Sequence, residues 1–506
     1  MRHFVITVLF FSIFLSRPYA QVPSQDSLAL VALYNATNGP QWKNKTNWLQ
    51  GPVSKWHGVT VFGNRVYLLN LWDNGLSGTI PNEIGFLTGL VELSLGMSSL
   101  QGPIPASIGQ LTELSGLNLR RSGIQGQIPA AIGQCTKLAQ LYLGENRLEG
   151  SIPSSLSNCK QLYVFQLHKN QLSGLFPEVV LDLPKLASLE LSDNQFSGPV
   201  PARINEFELL RSLSLSKNQF SGPLPRLNKL VNLEGLALEE NQFTGDLDTI
   251  LSYHPNLGYC FLNNNRFTGK LMPAHFNPEK IVRLHASDNQ LDQLGDFSSW
   301  NNQAQFVSLI VSYNRLDFDD LVPNASIAPN KFACFPQLTI GNDTTISAPI
   351  GSKQEIRSPM QNPDVQYSWF HNSLPISGAT SSKFTIQSMD QDSLGSYLYQ
   401  AKHPAFPRFE LYSANWNFKL PSAAEQLLDP SDYRFCYDPA SSQIHVLWNS
   451  AFLKKTIRIY NLGGQLLHSA QMEERFSLSM APHAAGWYIV DLRTEAGHAA
   501  IRFVKY

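Results

Sequence analysis

The sequence predicts a solenoid of α/β type, mostly parallel strands with short helices or 3-10 turns opposite them, followed by two all-β sandwich domains. Three observations predict it. Residues 66–329 repeat themselves at a period of 24: the segment LVELSLGMSSLQGPIPASIGQLTE from Leu90 aligns without a gap on LSGLNLRRSGIQGQIPAAIGQCTK from Leu114, and the frame restarts at Leu138, Leu162, Leu186 and Leu210. Each repeat holds an alternating Leu-x-Leu followed by Asn, the pattern of a half-buried strand and a bend. After Asn314 the period stops, and short alternating segments appear between turn residues.

The chain opens with Met1 to Ala20. Arg2 and His3 supply a basic end, and Phe4 to Leu15 is a mostly apolar run of twelve, too short to span a bilayer but suited to a secretory signal over residues 1–20. No later stretch reaches eighteen apolar residues, so no transmembrane span is expected in the mature chain. Residues 21–65 form the expected N-terminal cap. A helix is predicted over 24–36, with Ser24 or Ser27 as N-cap and Leu28, Val31, Ala32 and Leu33 on its apolar face; Asn38–Gly39–Pro40 ends it. Trp42, Trp48 and Trp56 then cover the open end of the array, whose first apolar face must be shielded from water.

Within the frame LxxLxLxxNxLxGxIP, alternation turns Leu141 and Leu143 inward and Tyr142 and Gly144 outward. An Asn recurs as Asn74, Asn146, Asn170, Asn194, Asn218, Asn241, Asn265, Asn289 and Asn314. An amide carries donors and an acceptor, so one per turn serves the backbone of bends that no sheet reaches. Ser98 and Ser122 hold the slot in two repeats and serve only part of that role. The Gly permits a tight corner, and Ile-Pro a short extended segment on the other side. Eleven strands are expected, beginning near Val66, Leu90, Leu114, Leu138, Leu162, Leu186, Leu210, Leu233, Leu257, Ile281 and Phe306. At about 4.8 Å between neighbours they make a curved sheet roughly 50 Å long. Leu247–Asp248 replaces Ile-Pro in the eighth repeat, and the last three keep only strand and Asn. Residues 316–321, LDFDDL, read as a closing turn; their three aspartates lack the glycine and distal glutamate of a calcium loop.

These residues resemble the leucine-rich repeat family in its plant-type 24-residue form (LSGxIPxxIGxL), which implies a solenoid of about eleven repeats over 66–335. Trp56–His57–Gly58–Val59 resembles the WxGV of that family's N-terminal cap. The family's flanking cysteines are replaced by Ser54 and Val61, so the cap holds by packing and a bacterial relative fits better than a plant one.

Residues 336–420 read as a β-sandwich, with strands near Val365–Trp369, Lys383–Ile386 and Ser396–Tyr399. Tyr367–Ser368–Trp369–Phe370 followed by Asp392–Ser393–Leu394–Gly395–Ser396–Tyr397 resembles the immunoglobulin-like fold. Trp369 would be its core tryptophan and Tyr397 its tyrosine corner; Tyr399 stands where the second cysteine would be. Residues 421–432 form a linker. The last segment, 433–506, has strands at Gln443–Trp448, Ile457–Asn461, Trp487–Leu492 and Ala499–Val504, with Gly463–Gly464 as a hairpin turn. Tyr437–Asp438–Pro439, residues 459–464 (IYNLGG), residues 486–490 (GWYIV) and the terminal FVKY resemble the C-terminal sorting domain of type IX secretion cargo. That resemblance implies the type IX secretion machinery as a partner, passage across an outer membrane, and surface attachment or release.

Composition bounds the function. With 506 residues, 43% hydrophobic, 15% charged and net charge −1, several well-packed domains are expected and no basic stripe for nucleic acid. Five cysteines are few for an exported chain this long. Cys135 and Cys159 share a slot in adjacent repeats, either as a disulfide or as two buried small hydrophobes. No HExxH, GxSxG, phosphate-cradling loop or CxxC occurs, so neither an enzyme nor a metal or cofactor site is expected.

What remains is the outward, concave face of the long sheet. Its candidate ligand-binding residues are Trp72 and two groupings: Arg120, Tyr142, Gln166, His168 and Glu190 near the middle, and Tyr259, Phe261, Arg283 and His285 further on. Aromatic and arginine side chains are the usual anchors of interfaces. The expected function is a secreted or surface-attached recognition protein that binds a protein or polysaccharide there. The alternatives are an envelope or biofilm scaffold, or an inhibitor of a polysaccharide-degrading enzyme.

Overall fold

The structure, a computed structural model, describes residues 22–421, 433–439, 441–448, 455–461, 465–471, 475–494 and 498–505. The expected signal, most of the linker and the Gly463–Gly464 turn lie outside the described residues. The chain divides into two compact units, residues 1–338 and 339–506.

The first unit is built on a thirteen-stranded sheet. Eleven of its parallel strands are the expected ones, though most are only three residues long: Val164–Gln166, for example, lies between Gln140–Tyr142 and Ser188–Glu190. Equivalent residues stand directly opposite one another, so Tyr142, Gln166 and Glu190 form one row. Two further strands escaped the periodic pattern. Val59–Phe62 pairs antiparallel with Arg65–Asn70 at one edge, and Phe332–Ala333 pairs with Ser308–Ile310 at the other.

A second, eight-stranded parallel sheet runs along the flank, from Gln125–Gly126 to Gln290–Leu294. Each strand slips two residues past its neighbour, so that Ser173 lies opposite Gln195 and Ser197 opposite Gln219. Its strands continue through Arg266–Leu271 and Gln290–Leu294, so the late repeats keep more than strand and Asn. On the remaining side, the repeat proline takes the N-cap position of a five-residue 3-10 helix, as Pro105 does before Ala106–Gln110. In the eighth repeat, where Ile-Pro is lost, Asp246 instead caps a helical turn at Leu247–Ile250, accepting from the Asp248 N–H at 2.9 Å.

The asparagines do what the sequence predicts. Asn194 Nδ2 donates to the carbonyls of Leu167, Leu191 and Ser192 at 3.0, 3.1 and 3.1 Å, and its Oδ1 accepts the Leu172 N–H at 3.0 Å. Each rung thus joins two repeats through backbone that no strand satisfies. Asn74 begins the series by pairing with the backbone of Asn44 in the cap. Ser122 donates to the Leu95 carbonyl at 3.3 Å, half of the amide's work. Beyond Asn314 the series ends on Gln337, which accepts the Asn314 N–H and donates to the Val311 carbonyl, both at 3.0 Å. The first unit therefore closes at Leu338, three residues past the expected solenoid boundary at 335.

Each bend also holds a residue in the left-handed region, φ between 51° and 57°, immediately before the asparagine slot, and in no repeat is it glycine: Asp73, Met97, Arg121, Glu145, Lys169, Asp193, Lys217, Glu240, Asn264, Asp288 and Tyr313. The cost of about 1–2 kcal/mol per such residue is offset by the bonds the bend makes possible. Glycine is required at the next corner. At Gly78 φ is 105°, and a Cβ would lie 2.1 Å from the Ala36 carbonyl oxygen.

The core between the sheets is apolar throughout. Phe196, Phe220, Phe243 and Phe267 stack in consecutive repeats with centroids 5.9–6.2 Å apart. Cys135 and Cys159 are free thiols; Cys135 donates to the Ile108 carbonyl and Cys159 to the Cys135 carbonyl, and burial raises their pKa to about 12 and about 11. Of the two readings the buried-hydrophobe one holds.

The cap differs in detail from expectation. Pro23, not Ser24 or Ser27, occupies the N-cap position of the helix Ser24–Ala36, and its buried face is Asp26, Ala29, Leu30, Leu33 and Tyr34, with Leu28 turned to solvent. Tyr34, Trp42, Trp48 and Trp56 pack ring on ring, each neighbouring pair within 5.2 Å. Packing is not alone. The fully buried Asp26 carboxylate accepts from Arg65 through Nε and Nη2 at 3.1 and 2.8 Å, and from the Val66 N–H at 2.9 Å. At the far end, Asp317 and Asp320 form a capping box around the helix Phe318–Leu321, which accounts for the aspartate cluster.

The second unit is all β. Gln366–His371 and Gly395–Lys402 pair antiparallel, and Thr344–Ser347 runs parallel to Trp416–Lys419. Trp369 and Tyr399 are fully buried, 5.3 Å apart, and Tyr397 Oη donates to the Ser393 carbonyl at 3.0 Å. Further along, Lys455–Asn461, Gly486–Thr494 and His498–Lys505 pair antiparallel over a core that includes Ile457, Ile459, Val490 and Leu492.

Candidate ligand-binding face

The outward face of the thirteen-stranded sheet carries all ten candidate residues, and their surroundings divide them into three sites. Trp72 stands alone near the cap end, 39% exposed, its ring lying over Gly96; a Cβ there would come within 2.1 Å of it. The glycine makes the seat for the indole.

The middle grouping is a connected polar network. Arg120 grips Glu145 Oε1 through Nε at 2.9 Å and Nη2 at 2.5 Å. His168 lies over Gly144, with Nε2 3.8 Å from Glu145 and Nδ1 3.2 Å from Glu190. Gln166 Nε2 donates to Glu190 Oε1 at 2.9 Å. The bonded Arg120 guanidinium holds the Glu145 carboxyl below its usual range. Burial, with Tyr163 and Glu190 nearby, raises the Tyr142 phenol. Both ring nitrogens of His168 lie near carboxylates, and Nδ1 is buried without a hydrogen-bond partner.

The far grouping is a ring platform. Tyr259 and Phe261 lie 6.4 Å apart on one strand, and Phe261 lies 5.1 Å from His285 on the next. His285 Nε2 is 2.8 Å from Ser308 Oγ, and burial, with Arg283 nearby, lowers its pKa, so it presents a neutral ring at neutral pH.

Glu145 belongs to the middle site but was not among the expected residues, because it sits one step past the strand in the left-handed bend. A signal for it exists in the sequence. The bend residues of six consecutive repeats alternate in charge: Arg121, Glu145, Lys169, Asp193, Lys217 and Glu240. Stacked side by side, like charges would repel and opposite charges attract, as Lys217 and Glu240 do at 3.6 Å. Glu239, on the strand-end row beside the platform, was also missed; burial raises its pKa, and its Oε2 is buried without a hydrogen-bond partner. Among the described residues no group of three metal-ligating side chains occurs.

Comparison with family models matches the description "Leucine rich repeat" at residues 136–196 and 160–220 and again at 65–87, and "Secretion system C-terminal sorting domain" at 438–506. The chain therefore carries leucine-rich repeats and a type IX secretion C-terminal sorting domain, which marks it for export and surface attachment. No helix among the described residues is long and apolar enough to cross a membrane. No curated protein matches. Among solved structures, a plant ice-binding protein is 27% identical, with 56% of this chain and 94% of that one covered, at a TM-score of 0.49. The plant peptide hormone receptor RGFR1, solved with RGF2, is 28% identical over 54% and 44% of the two chains, at 0.47. The ectodomain of the receptor kinase GASSHO1/SCHENGEN3 from Arabidopsis thaliana, solved with CASPARIAN STRIP INTEGRITY FACTOR 2, is 25% identical over 64% and 45%, at 0.48. The chain spans less than half the length of these two receptor chains. The matched segments are leucine-rich repeats, which is consistent with protein binding.

Proposed function

We propose that this exported chain of leucine-rich repeats is a surface recognition protein, which binds an extended protein or glycan partner on the outward face of its long sheet and does no chemistry on it. One observation carries the reading. At the centre of that face Arg120, Glu145, His168 and Glu190 lie against one another, with Arg120 bonded to Glu145 and Gln166 to Glu190. A side chain already ordered loses less freedom when a partner arrives, so a braced network is a preorganised contact surface. Arg120 holds Glu145 and Gln166 holds Glu190, so both carboxylates already have a partner. The immunoglobulin-like segment is a spacer or accessory module.

The test is capture from cell-surface and medium fractions by the full secreted chain. Replacing Arg120 and Tyr142 together by Ala should weaken capture by roughly thirty-fold, the effect of losing about 2 kcal/mol at an interface centre. Unchanged capture, or capture by residues 339–421 alone, would refute the reading, and self-association insensitive to these substitutions would favour a scaffold.

A further inference from the structure

We infer that the ring platform on Tyr259–Phe261 and Arg283–His285 is a subsite for a neutral, hydroxyl-rich glycan. The inference rests on the reading of this sheet face as a recognition surface, and adds the ligand class.

Three features point to it. The first is the rings. Tyr259 is 45% exposed and is joined through Phe261 to His285 in a continuous patch across two strands. The rings are tilted to one another by 39° and 58°, and an apolar ring patch open to water on a sheet face is a place where an apolar face of a ligand lies. The second is the rim. Tyr259 also walls an open depression of about 500 Å³ lined by Arg211, Glu234, Asn256 and Lys280. Asn263 and Ser287 stand on the strand-end row beside the platform. Rings with hydrogen-bonding groups at their edges match a sugar, which offers an apolar C–H face bordered by hydroxyls.

The third feature is charge. Arg211 is neutralised by Glu234 at 2.9 Å, and Arg120, nearer the middle of the face, is held by Glu145. Arg283 and the rim's Lys280 have no ion pair among the described residues, but both belong to one repeat, so no run of cations builds across successive repeats. An anionic polymer needs cations at several successive repeats, and an acidic or basic peptide needs an excess of the opposite sign. The platform supplies neither. It supplies ring faces, amides, hydroxyls and the planar Arg283 fork, which can donate to two adjacent hydroxyls at once.

The experiment is affinity electrophoresis of the full secreted chain in native gels. The gels contain mixed-linkage β-glucan, xyloglucan or galactomannan as neutral probes, and alginate or a sulfated galactan as anionic ones. Retardation by at least one neutral probe is expected, persisting in about 0.5 M salt, where charge contacts are screened. Tyr259→Ala should weaken it roughly ten-fold or more, the scale of one ring contact. Tyr259→Phe should retain it and Tyr259→Leu should not, which separates stacking from bulk. Unchanged melting temperatures show that the variants fold.

No retardation by any neutral probe overturns the inference, as does retardation by anionic probes alone with loss in salt, or neutral binding indifferent to Tyr259→Ala with Phe261→Ala. If the chain captures a protein through Arg120 and Tyr142 while ignoring all the glycans, the recognition reading stands and this subsite falls.

Discussion

Replacing Asn194 by Ala removes one interior rung of the amide series, and its cost can be worked from the bonds. The Leu172 N–H loses its only side-chain acceptor, and the carbonyls of Leu167, Leu191 and Ser192 lose a shared donor. A buried N–H left unmatched costs about 1–3 kcal/mol, and the carbonyls add a smaller amount because other partners reach some of them, so a loss of about 2–4 kcal/mol is expected. Asn194→Ser keeps a donor, as Ser122 does naturally, and should lose about half as much. Asn194→Asp keeps the acceptor but turns its second carboxylate oxygen toward three carbonyl oxygens. It should be the worst of the three at neutral pH and recover in mild acid as the carboxyl protonates. Urea unfolding followed by far-UV circular dichroism reads the loss, and hydrogen exchange at residues 167–172 locates it, since coupling between repeats makes the damage local first. If Asn194→Ala costs under about 0.5 kcal/mol, or Asn194→Asp equals the parent at neutral pH, the amide series is decoration and the argument for it fails.

Other outcomes follow from the same physics. Ser122→Asn should restore a missing rung and raise stability by about 1 kcal/mol, read as a higher urea midpoint. Lys169→Gly should be neutral or stabilising by up to about 1 kcal/mol, because φ there is 54°, while Lys169→Val should destabilise by about 1–2 kcal/mol. Asp26→Ala leaves Arg65 and the Val66 N–H without their buried acceptor and should cost about 3 kcal/mol, seen as early loss of protection in the cap by hydrogen exchange. His254 and His275 are both lowered by burial, so the folded state holds fewer protons than the unfolded chain. Their contribution is complete above the ordinary histidine value and is lost as pH falls through the folded values. Asp320 is raised to about 7 by burial, and the sign reverses: its contribution is complete in acid and lost as pH rises toward 7. Hydrogen exchange at pH 5 and pH 7.5 should therefore move in opposite directions around residues 254–275 and around residues 317–321.

Much of the fold is legible because its interactions repeat. Leu141, Asn146 and the corner Gly150 each meet the same neighbours one period away, so a 24-residue frame states both partners of every contact. The same logic read the closing segment only in part: Gln337 takes the next amide position, but Gln replaces Asn there and Phe332 and Cys334 replace the leucines before it. The flank strands at Arg266–Leu271 and Gln290–Leu294 were harder to read. Arg266–Leu271 keeps Phe267 and the corner Gly269 but has Leu271–Met272 where Ile-Pro would stand, and Gln290–Leu294 lacks the corner glycine, yet stacking on an ordered neighbour keeps both extended. The Asp26–Arg65 pair joins residues 39 apart outside the period, where no frame aligns them.

By itself, then, the sequence determined what depends on period and alternation: the stacked strands, which residues face outward, the asparagine rungs, and an exported chain that ends in a sorting domain. Only the tertiary structure decided what those outward residues do to one another. Whether Arg120 stands free or grips Glu145, whether His168 lies over Gly144, and whether Tyr259, Phe261 and His285 merge into one patch all depend on rotamers chosen between neighbouring strands. Strand spacing brings such side chains within reach of one another, but their charge, bulk and the room left by a glycine select the partner. That selection occurs across the stack and not along the chain, which is why no period could spell it out.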